Sequence, residues 1–329
     1  MREKLRKILF VILYYLGVVR YFYHLNRNKQ RVLVFHHIIP DRYINNSFEQ
    51  KIVCTSEKKF RWLLEIVNKR LDVTLSLGKP GSVLITFDDG YRAALNAAKI
   101  LREFGNKAII FIPINSVDGS PLWIDKIMAW FAYVPDGHYQ ILGKNISLNT
   151  QAQRLTEFSA FVDTLYFPGN YNPIKIIAEL NAIFPFSSLF SDEIYSSYRF
   201  RGLTKEEVES LKEEGFLFGG HSVQHDILSC LSDEEIMEDF ENCEKEIGKL
   251  YNCSLYAYPF GHRRDVSPKV VEAMHESAFT CAMMNEMVMR ESAEQMSRIN
   301  ISHYDNKYEV EACLSGLTQA LKKVLQWIK

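Results

Sequence analysis

The stretch Val83–Tyr91 constrains the fold of this chain more than any other. Its first five residues, through Phe87, are uncharged and mostly β-branched or aromatic, and Asp88, Asp89 and Gly90 follow at once. An uncharged run of this kind predicts a strand of a parallel sheet that is covered on both faces. Because α/β folds carry their chemistry at the carboxyl ends of such strands, the two carboxylates mark a candidate site.

Adjacent carboxylates repel each other, so the fold has to stabilise both charges. A bound metal ion would do so. One Asp would be its ligand, and the other would exchange protons beside it. The alternative from these residues alone is an ordinary strand-end turn in which Asp88 caps the next helix. Other parts of the chain must distinguish the two interpretations.

Six further segments predict strands of the same sheet. They are short and mostly apolar, and they lie at 31–39, 108–113, 216–220, 255–259, 278–282 and 298–302. Helical spacing of apolar residues fills the intervals, and two of these helices begin with capping boxes at Thr204 and Ser232. Helices are also predicted over 91–104 and, as the closing element, over 308–328. Repeated βα units of this number predict a parallel α/β barrel.

The segment 114–200 interrupts this alternation. It is rich in aromatic residues, Pro, Asn and Ser, with helical patterns around 123–133 and 151–165. We interpret it as an insertion at the top of the barrel. It would act either as a cap that faces the substrate or as a packing extension without a role in chemistry.

Residues 1–30 form a separate N-terminal unit. Ile8–Val19 is almost wholly apolar, and basic residues flank it at Arg2, Lys4, Arg6, Lys7, Arg27, Lys29 and Arg31. A spanning helix needs about 20 apolar residues, whereas Arg20 interrupts this run. No small-residue cleavage site follows, as a signal peptide would require. We expect a helix that lies on an anionic membrane surface; the alternative is a helix that covers the bottom of the barrel.

Composition excludes some functions and favours a compartment. The chain of 329 residues carries a net charge of −1, and no basic cluster with interleaved aromatics predicts nucleic-acid binding. The six cysteines include no CxxC pair, which is typical of reduced, buried thiols. We therefore expect a cytoplasmic protein that is peripheral to the membrane or anchored in it.

His221 and His225 are four residues apart, a spacing that lets two imidazoles bind one ion. Zinc proteases with this spacing have Glu after the first His, whereas Ser222 stands here, so that class is disfavoured. Because the pair follows a predicted strand, it would open on the same face as Asp88 and Asp89. This context favours a metal site over an ordinary turn.

Three segments together resemble the ordered motifs of the NodB-homology polysaccharide deacetylases, carbohydrate esterase family 4. They are Thr86–Gly90, His221–His225 and Tyr258–Gly261, and the resemblance extends over roughly residues 31–305. Phe35 and His36 are similar to the Tyr-His at the first strand of many members. The resemblance implies a distorted (β/α)7 barrel, with the apolar N-terminal helix and the insertion as additions. It also implies metal-dependent removal of N-acetyl groups from amino sugars in glycans.

The resemblance also implies roles for individual residues. Asp89, His221 and His225 would hold a divalent metal ion, with Zn²⁺ the expected one, and would leave a position open for water and the substrate carbonyl. Asp88 would be the general base. The substrate and oxyanion site would include Tyr258, Pro259 and Phe260, with the Phe260 N–H as donor.

The general acid would be a His after a late strand. His303, at the end of Ile299-x-Ile301-x-His303, is the candidate, and His36 and His37 compete with it. His36 is otherwise expected beside the site, in its second shell of contacts.

The sequence departs from the family pattern at two places. An Arg that tethers the base stands two residues before the Pro of the third motif, whereas this chain has Ala257. Arg298, Arg263 or Arg264 would have to replace it through space. The Asp-x-x-Asp-Trp motif is absent, and Asp265 is the candidate partner of the acid His.

These features predict a deacetylase of a cell-surface polysaccharide or its lipid-linked precursor. Within the family, the alternative is a deformylase of a lipid-linked amino sugar. Outside it, a glycan-binding barrel could keep the metal without catalysis. A 2-His-1-carboxylate iron oxygenase is disfavoured because its carboxylate usually lies close to the first His, whereas Asp89 lies far upstream of His221.

Overall fold

The computed structural model describes residues 2–45, 47–189, 198–288 and 290–327. The strands are β1 (Arg31–Phe35), β2 (His37–Ile39), β3 (Cys54–Ser56), β4 (Asp72–Val73), β5 (Ser82–Phe87), β6 (Ile109–Ile112), β7 (His138–Ile141), β8 (Lys144–Ser147), β9 (Leu217–Gly220), β10 (Leu255–Ala257), β11 (Cys281–Met283) and β12 (Ile299–Asn300).

The helices surround these strands. They are α1 (Arg2–Tyr15), α2 (Val18–Leu25), α3 (Phe48–Val53), α4 (Glu57–Asn68), α5 (Ala93–Glu103), α6 (Trp123–Tyr133), α7 (Gln151–Leu165), α8 (Pro173–Ile183), α9 (Phe186–Leu189), α10 (Lys205–Glu213), α11 (Asp233–Glu244), α12 (Pro268–Glu276), α13 (Lys307–Ser315) and α14 (Leu317–Trp327).

The core is a curled sheet of seven parallel strands. Their order is β11-β10-β9-β6-β5-β1-β12, with the short β4 added beside β5. All residues of β1, β5 and β6 are buried, as expected for strands covered on both faces. Each of the seven predicted segments overlaps a strand of this sheet, and the distorted (β/α)7 fold is confirmed. The first segment, 31–39, is wrong in one respect, because β2 leaves the sheet and pairs with β3.

Local sequence signals account for the helices around the sheet. The capping boxes at Thr204 and Ser232 form as predicted and start α10 and α11. The predicted closing helix over 308–328 is wrong in one respect, because Gly316 at φ 87° divides it into α13 and α14.

The described residues of the 114–200 segment form most of a second apolar core, which Phe48, Tyr91, Ala93 and Ile227 join from outside the segment. The helical patterns of the segment match α6 and α7, whereas α8 and the β7-β8 hairpin were not predicted. Trp130 and Phe131 are fully buried at the centre of this core. The insertion is therefore a compact unit that packs beside the parallel sheet.

The N-terminal unit consists of two helices rather than the single predicted one. The pair turns by 72° at Gly17, which has φ 78°. Phe10 and Val19 are buried against the α13–α14 region through Ala312 and Leu317. Among the described helices, none alone has the length and apolar character to cross a membrane, although this bent pair meets the criterion together.

Candidate active site

The parallel strands deliver the predicted motifs to one end of the sheet. Asp88 and Asp89 follow β5, His221 follows β9, and Phe260 lies shortly after β10. They line a cavity of about 440 Å³ together with His225 and residues of the insertion. The chain thus brings the three motifs into one site.

Asp89, His221 and His225 form a buried cluster. The Asp89 Oδ1 atom lies 3.0 Å from the Nε2 atom of each imidazole. One donor atom from each residue lies within 4.8 Å of the others. Asp89 and His225 have positive φ values of 71° and 61°, which non-glycine residues adopt rarely and mostly at functional sites.

The hydrogen bonding of this cluster fits a cation. His221 Nδ1 donates to the carbonyl oxygen of Ala257 at 2.7 Å, which fixes its tautomer and turns Nε2 towards Asp89. Burial raises the pKa of Asp89, but the electrostatic attraction of His225 and the close contacts of both rings with the carboxylate outweigh burial and hold that pKa well below its usual range. Two imidazoles and an ionised carboxylate are the donor set that Zn²⁺ and related ions take.

The loop that carries the two histidines is held by Asp239 and Trp123. Asp239 Oδ2 accepts hydrogen bonds from Ser222 Oγ and Val223 N, each at 2.9 Å. Trp123 Nε1 donates to the carbonyl oxygen of His225 at 2.9 Å. Sequence reasoning missed Asp239, although a carboxylate on the buried face of a helix was a signal.

Asp88 faces Arg298 rather than the cluster. The guanidinium binds both carboxylate oxygens, at 2.6 and 2.5 Å, and its Nε donates to Met284 O. Burial raises the pKa of Asp88, but Arg298 and His221 more than compensate and lower it. Of the three arginines considered for the missing motif position, Arg298 is therefore the one whose guanidinium contacts Asp88.

The other two arginines considered for that place pair with other carboxylates, although Arg264 also lines the cavity. Arg263 pairs with Glu286 at 3.4 Å, and Arg264 pairs with Asp163 at 2.5 Å. Both are surface pairs, so neither guanidinium is paired with Asp88.

The third motif contributes mainly backbone. Phe260 has φ 58°, and within the described ranges its N–H donates to no protein acceptor. Its ring packs on His225, with a centroid separation of 4.8 Å. Tyr258 is buried and donates to Glu294 O at 2.8 Å, so its hydroxyl points away from the cavity, and Pro259 precedes Phe260 in the same turn.

His303 does not line this cavity. It borders a neighbouring cavity of about 760 Å³, where its Nδ1 accepts a hydrogen bond from Ser56 N at 3.3 Å. Asp265 is not its partner, because that carboxylate accepts from the Tyr166 hydroxyl and from His262 N. His36 lines both cavities.

A buried charge network that sequence reasoning missed adjoins the site. Asp125, on α6 of the insertion, lines the cavity and accepts hydrogen bonds from Tyr91 and from Arg199, at 2.8 and 2.9 Å. Burial raises the pKa of Asp125 to about 6. Arg199 also pairs with Glu49 at 2.5 Å, and its backbone oxygen lies 2.8 Å from His37 Nε2. His37 is thus part of this network.

The family-model comparison covers the second and third motifs but not Thr86–Gly90. Residues 178–279, which include His221, His225 and Tyr258–Gly261, match the family model for polysaccharide deacetylases. A search of curated protein sequences gave no match.

Several solved structures share the fold at low sequence identity. A polysaccharide deacetylase of Bacillus cereus is 15% identical, with 87% of this chain and 69% of that one covered and a TM-score of 0.53. A Streptococcus pyogenes deacetylase in complex with acetate is 13% identical, with 84% and 93% covered and a TM-score of 0.51. A de-N-acetylase of Aggregatibacter actinomycetemcomitans is 12% identical, with 86% and 99% covered and a TM-score of 0.51.

Proposed function

We propose that this chain is a polysaccharide deacetylase of the NodB-homology type and hence a hydrolase of linear amides. On that premise, it removes N-acetyl groups from amino sugars. The proposed substrate is a cell-surface polysaccharide or its lipid-linked precursor. The observation that carries the proposal is the convergence of Asp89, His221 and His225 beside a second carboxylate, Asp88, in one cavity.

Asp88 is the proposed general base. Its bidentate contact with Arg298 holds the carboxylate in one orientation and keeps it ionised, so it can accept a proton from a water molecule in the cavity. The N–H of Phe260, which has no acceptor among the described residues, is the proposed donor to the oxygen that becomes negative during attack. Asp88 would thus act on the attacking water, and the Phe260 N–H on the carbonyl oxygen of a substrate amide bound at the triad of Asp89, His221 and His225.

The triad is the proposed ligand set of a divalent cation, with Zn²⁺ the best fit to one carboxylate and two imidazoles. When bound, such an ion supplies a Lewis acid that polarises the amide carbonyl and lowers the pKa of water. The chain contributes the fixed orientation of the two rings, through the Ala257 carbonyl for His221 and through the loop contacts for His225.

His36 is the acid that we favour for protonating the leaving amine. It lines the cavity that holds the triad, whereas His303 lines the neighbouring one. His37 is held in the Arg199 network. His303 stays the alternative from the motif pattern, and substitution of each residue decides between them.

We further propose that the protein works at a membrane surface on the cytoplasmic side. Five large apolar side chains of the α1 region are 47–72% exposed, at Leu5, Ile8, Leu9, Ile12 and Leu16. They recur at helical spacing on one side, as in helices that lie in a membrane interface. The six cysteines are unpaired, which supports a reducing compartment.

The experiment is a product assay on purified full-length protein. N-acetylglucosamine oligomers and lipid-linked amino sugars are the substrates, and acetate and formate are measured with and without a chelator. We expect acetate release that the chelator abolishes and Zn²⁺ restores. Release of formate without acetate would show that the enzyme removes N-formyl groups instead of N-acetyl groups. Binding of metal and glycan without either product would make the chain a binding protein.

A further inference from the structure

A further cavity lies at the opposite end of the sheet from the active site. Its volume is about 860 Å³, and its walls come from α1, α2, the start of β1, the end of α4 and α13. Arg31 opens β1 at this end, whereas Phe35 closes β1 near the catalytic loops. The two ends of that strand are roughly 13 Å apart, so this cavity is separate from the site of amide hydrolysis.

The lining of this cavity is strongly basic. One carboxylate, that of Glu311, lies among five cationic side chains, which are Arg20, Arg27, Arg31, Lys69 and Arg70. Glu311 already accepts from Arg70 Nη2 at 3.2 Å and from the Tyr23 hydroxyl at 2.9 Å. Since the whole chain has a net charge of only −1, this excess of positive charge is local.

Arg31 gives an independent sign of a ligand. The residue is only 5% exposed. Its Nε donates to Leu314 O at 2.8 Å and its Nη1 to Lys29 O. Its Nη2 is buried and has no acceptor among the described residues. A buried guanidinium donor without an acceptor is unfavourable, and Arg31 lines the cavity, so an anion that reached Nη2 from there would relieve it.

We propose that this cavity binds the phosphate group of a membrane lipid. Arginine forks match phosphate oxygens, and the surrounding lysine and arginines supply the charge that an anionic headgroup needs. The exposed apolar residues of α1 continue from the tyrosines in the cavity wall, Tyr14 and Tyr15, so acyl chains and headgroup would meet one surface. The inference deepens the proposed membrane association and does not depend on catalysis.

The test compares binding of full-length protein to phosphatidylcholine vesicles with and without phosphatidic acid. The key variant is Arg20→Gln/Lys69→Gln, because both side chains are exposed and neither has a hydrogen bond or ion pair with the described residues. The matched control is Lys144→Gln/Lys205→Gln, which removes the same charge from exposed positions elsewhere. Arg31→Gln is added, with a melting curve to verify folding.

We expect wild type to prefer the acidic vesicles and the key variant to lose binding roughly 25-fold, about fivefold per cation, with little change in the control. Soluble short-chain phosphatidate should compete for the site better than inorganic phosphate. If the control lost as much vesicle binding as the key variant, general electrostatic attraction would explain the binding and the proposed site would be wrong. If inorganic phosphate competed as well as short-chain phosphatidate, the cavity would be a site for free phosphate and not for a lipid. Asp89→Asn should bind vesicles like wild type, which separates this test from the proposed reaction.

Discussion

Asp88 and Asp89 are adjacent and chemically identical, yet their surroundings differ. Asp89 meets two imidazoles, whereas Asp88 meets one guanidinium through both oxygens. The chain turns directly after Asp88, where Asp89 and Gly90 have φ values of 71° and 63°. A Cβ on Gly90 would lie 2.3 Å from Ile112 Cγ1, so no larger residue fits this turn. At the residue scale, the site depends on this separation of two carboxylates.

Arg298→Met should remove the partner of Asp88. We expect kcat to fall by about 10²-fold or more because the base loses its orientation. Breaking a buried pair should also cost about 3–5 kcal/mol of unfolding free energy. Steady-state kinetics and chemical denaturation measure both effects.

The controls for this variant are Arg298→Lys and Arg263→Met. Lys keeps the charge but not the bidentate geometry, so partial recovery of kcat is expected. Arg263 lies on the surface beside Glu286, and its loss should leave kcat unchanged. Equal kcat in Arg298→Met and wild type would exclude Arg298 as the residue that positions the base.

His36→Ala and His303→Ala test the general acid. Because His36 borders the triad cavity, we expect its loss to lower kcat by about 10²–10⁴-fold on substrates with a poor amine leaving group. His303→Ala should retain most activity. If acetate release fell more in His303→Ala than in His36→Ala, His303 would be the general acid.

At the element scale, α11 connects packing to the site. Ile236, Phe240 and Cys243 turn its apolar face to the core, and Asp239 on the same face holds the histidine loop. Burial raises the pKa of Asp239 to about 6, from an ordinary value of 3.8. The folded state therefore favours the protonated carboxyl, and stability should fall as pH rises from about 4 to about 6.

Asp239→Asn isolates this pH dependence. The amide oxygen can still accept from Ser222 and Val223, but it cannot ionise. We expect the stability of the variant relative to wild type to increase between pH 4 and pH 6, by up to about 3 kcal/mol. Denaturation midpoints at several pH values, with chelator present, measure it. Parallel curves would show that Asp239 does not titrate in this range.

The apolar side of α1 makes a prediction about membranes. Ile8→Ser/Ile12→Ser should weaken binding to vesicles, because it removes two side chains that are about half exposed in the protein. We expect a loss of about tenfold or more. Ile174→Ser is the control, since Ile174 is 83% exposed on the insertion. Similar losses in both proteins would contradict a specific role for α1.

At the scale of the whole molecule, the elements that follow from local signals were predictable. Uncharged strands, capping boxes and helical spacing were enough for the parallel sheet and for α6 and α7. The contacts between distant residues were predictable only where a motif named them. Arg298 was one of three arginines considered as the partner of Asp88, 210 positions away, whereas the pair of Arg199 and Glu49, 150 positions apart, was missed. Such pairs depend on how the elements pack, which spacing along the chain does not encode.

The dependence on packing also explains why the sequence pattern pointed to His303 as the general acid. The pattern Ile299-x-Ile301-x-His303 is a local signal for a residue after the last strand. In the fold, β12 ends at Asn300, and Asn300 rather than His303 reaches the triad cavity. The position of a side chain beyond a strand end depends on the loop, and the loop is set by packing.

The most direct test of the central claim is the metal content of three proteins: wild type, Asp88→Asn and Asp89→Ala. Each is loaded with Zn²⁺, dialysed and analysed for metal per chain. If Asp89 is the ligand and Asp88 the base, wild type and Asp88→Asn should each retain about one ion, and Asp89→Ala should retain almost none. A full equivalent of metal in Asp89→Ala, together with its loss in Asp88→Asn, would contradict the assignment.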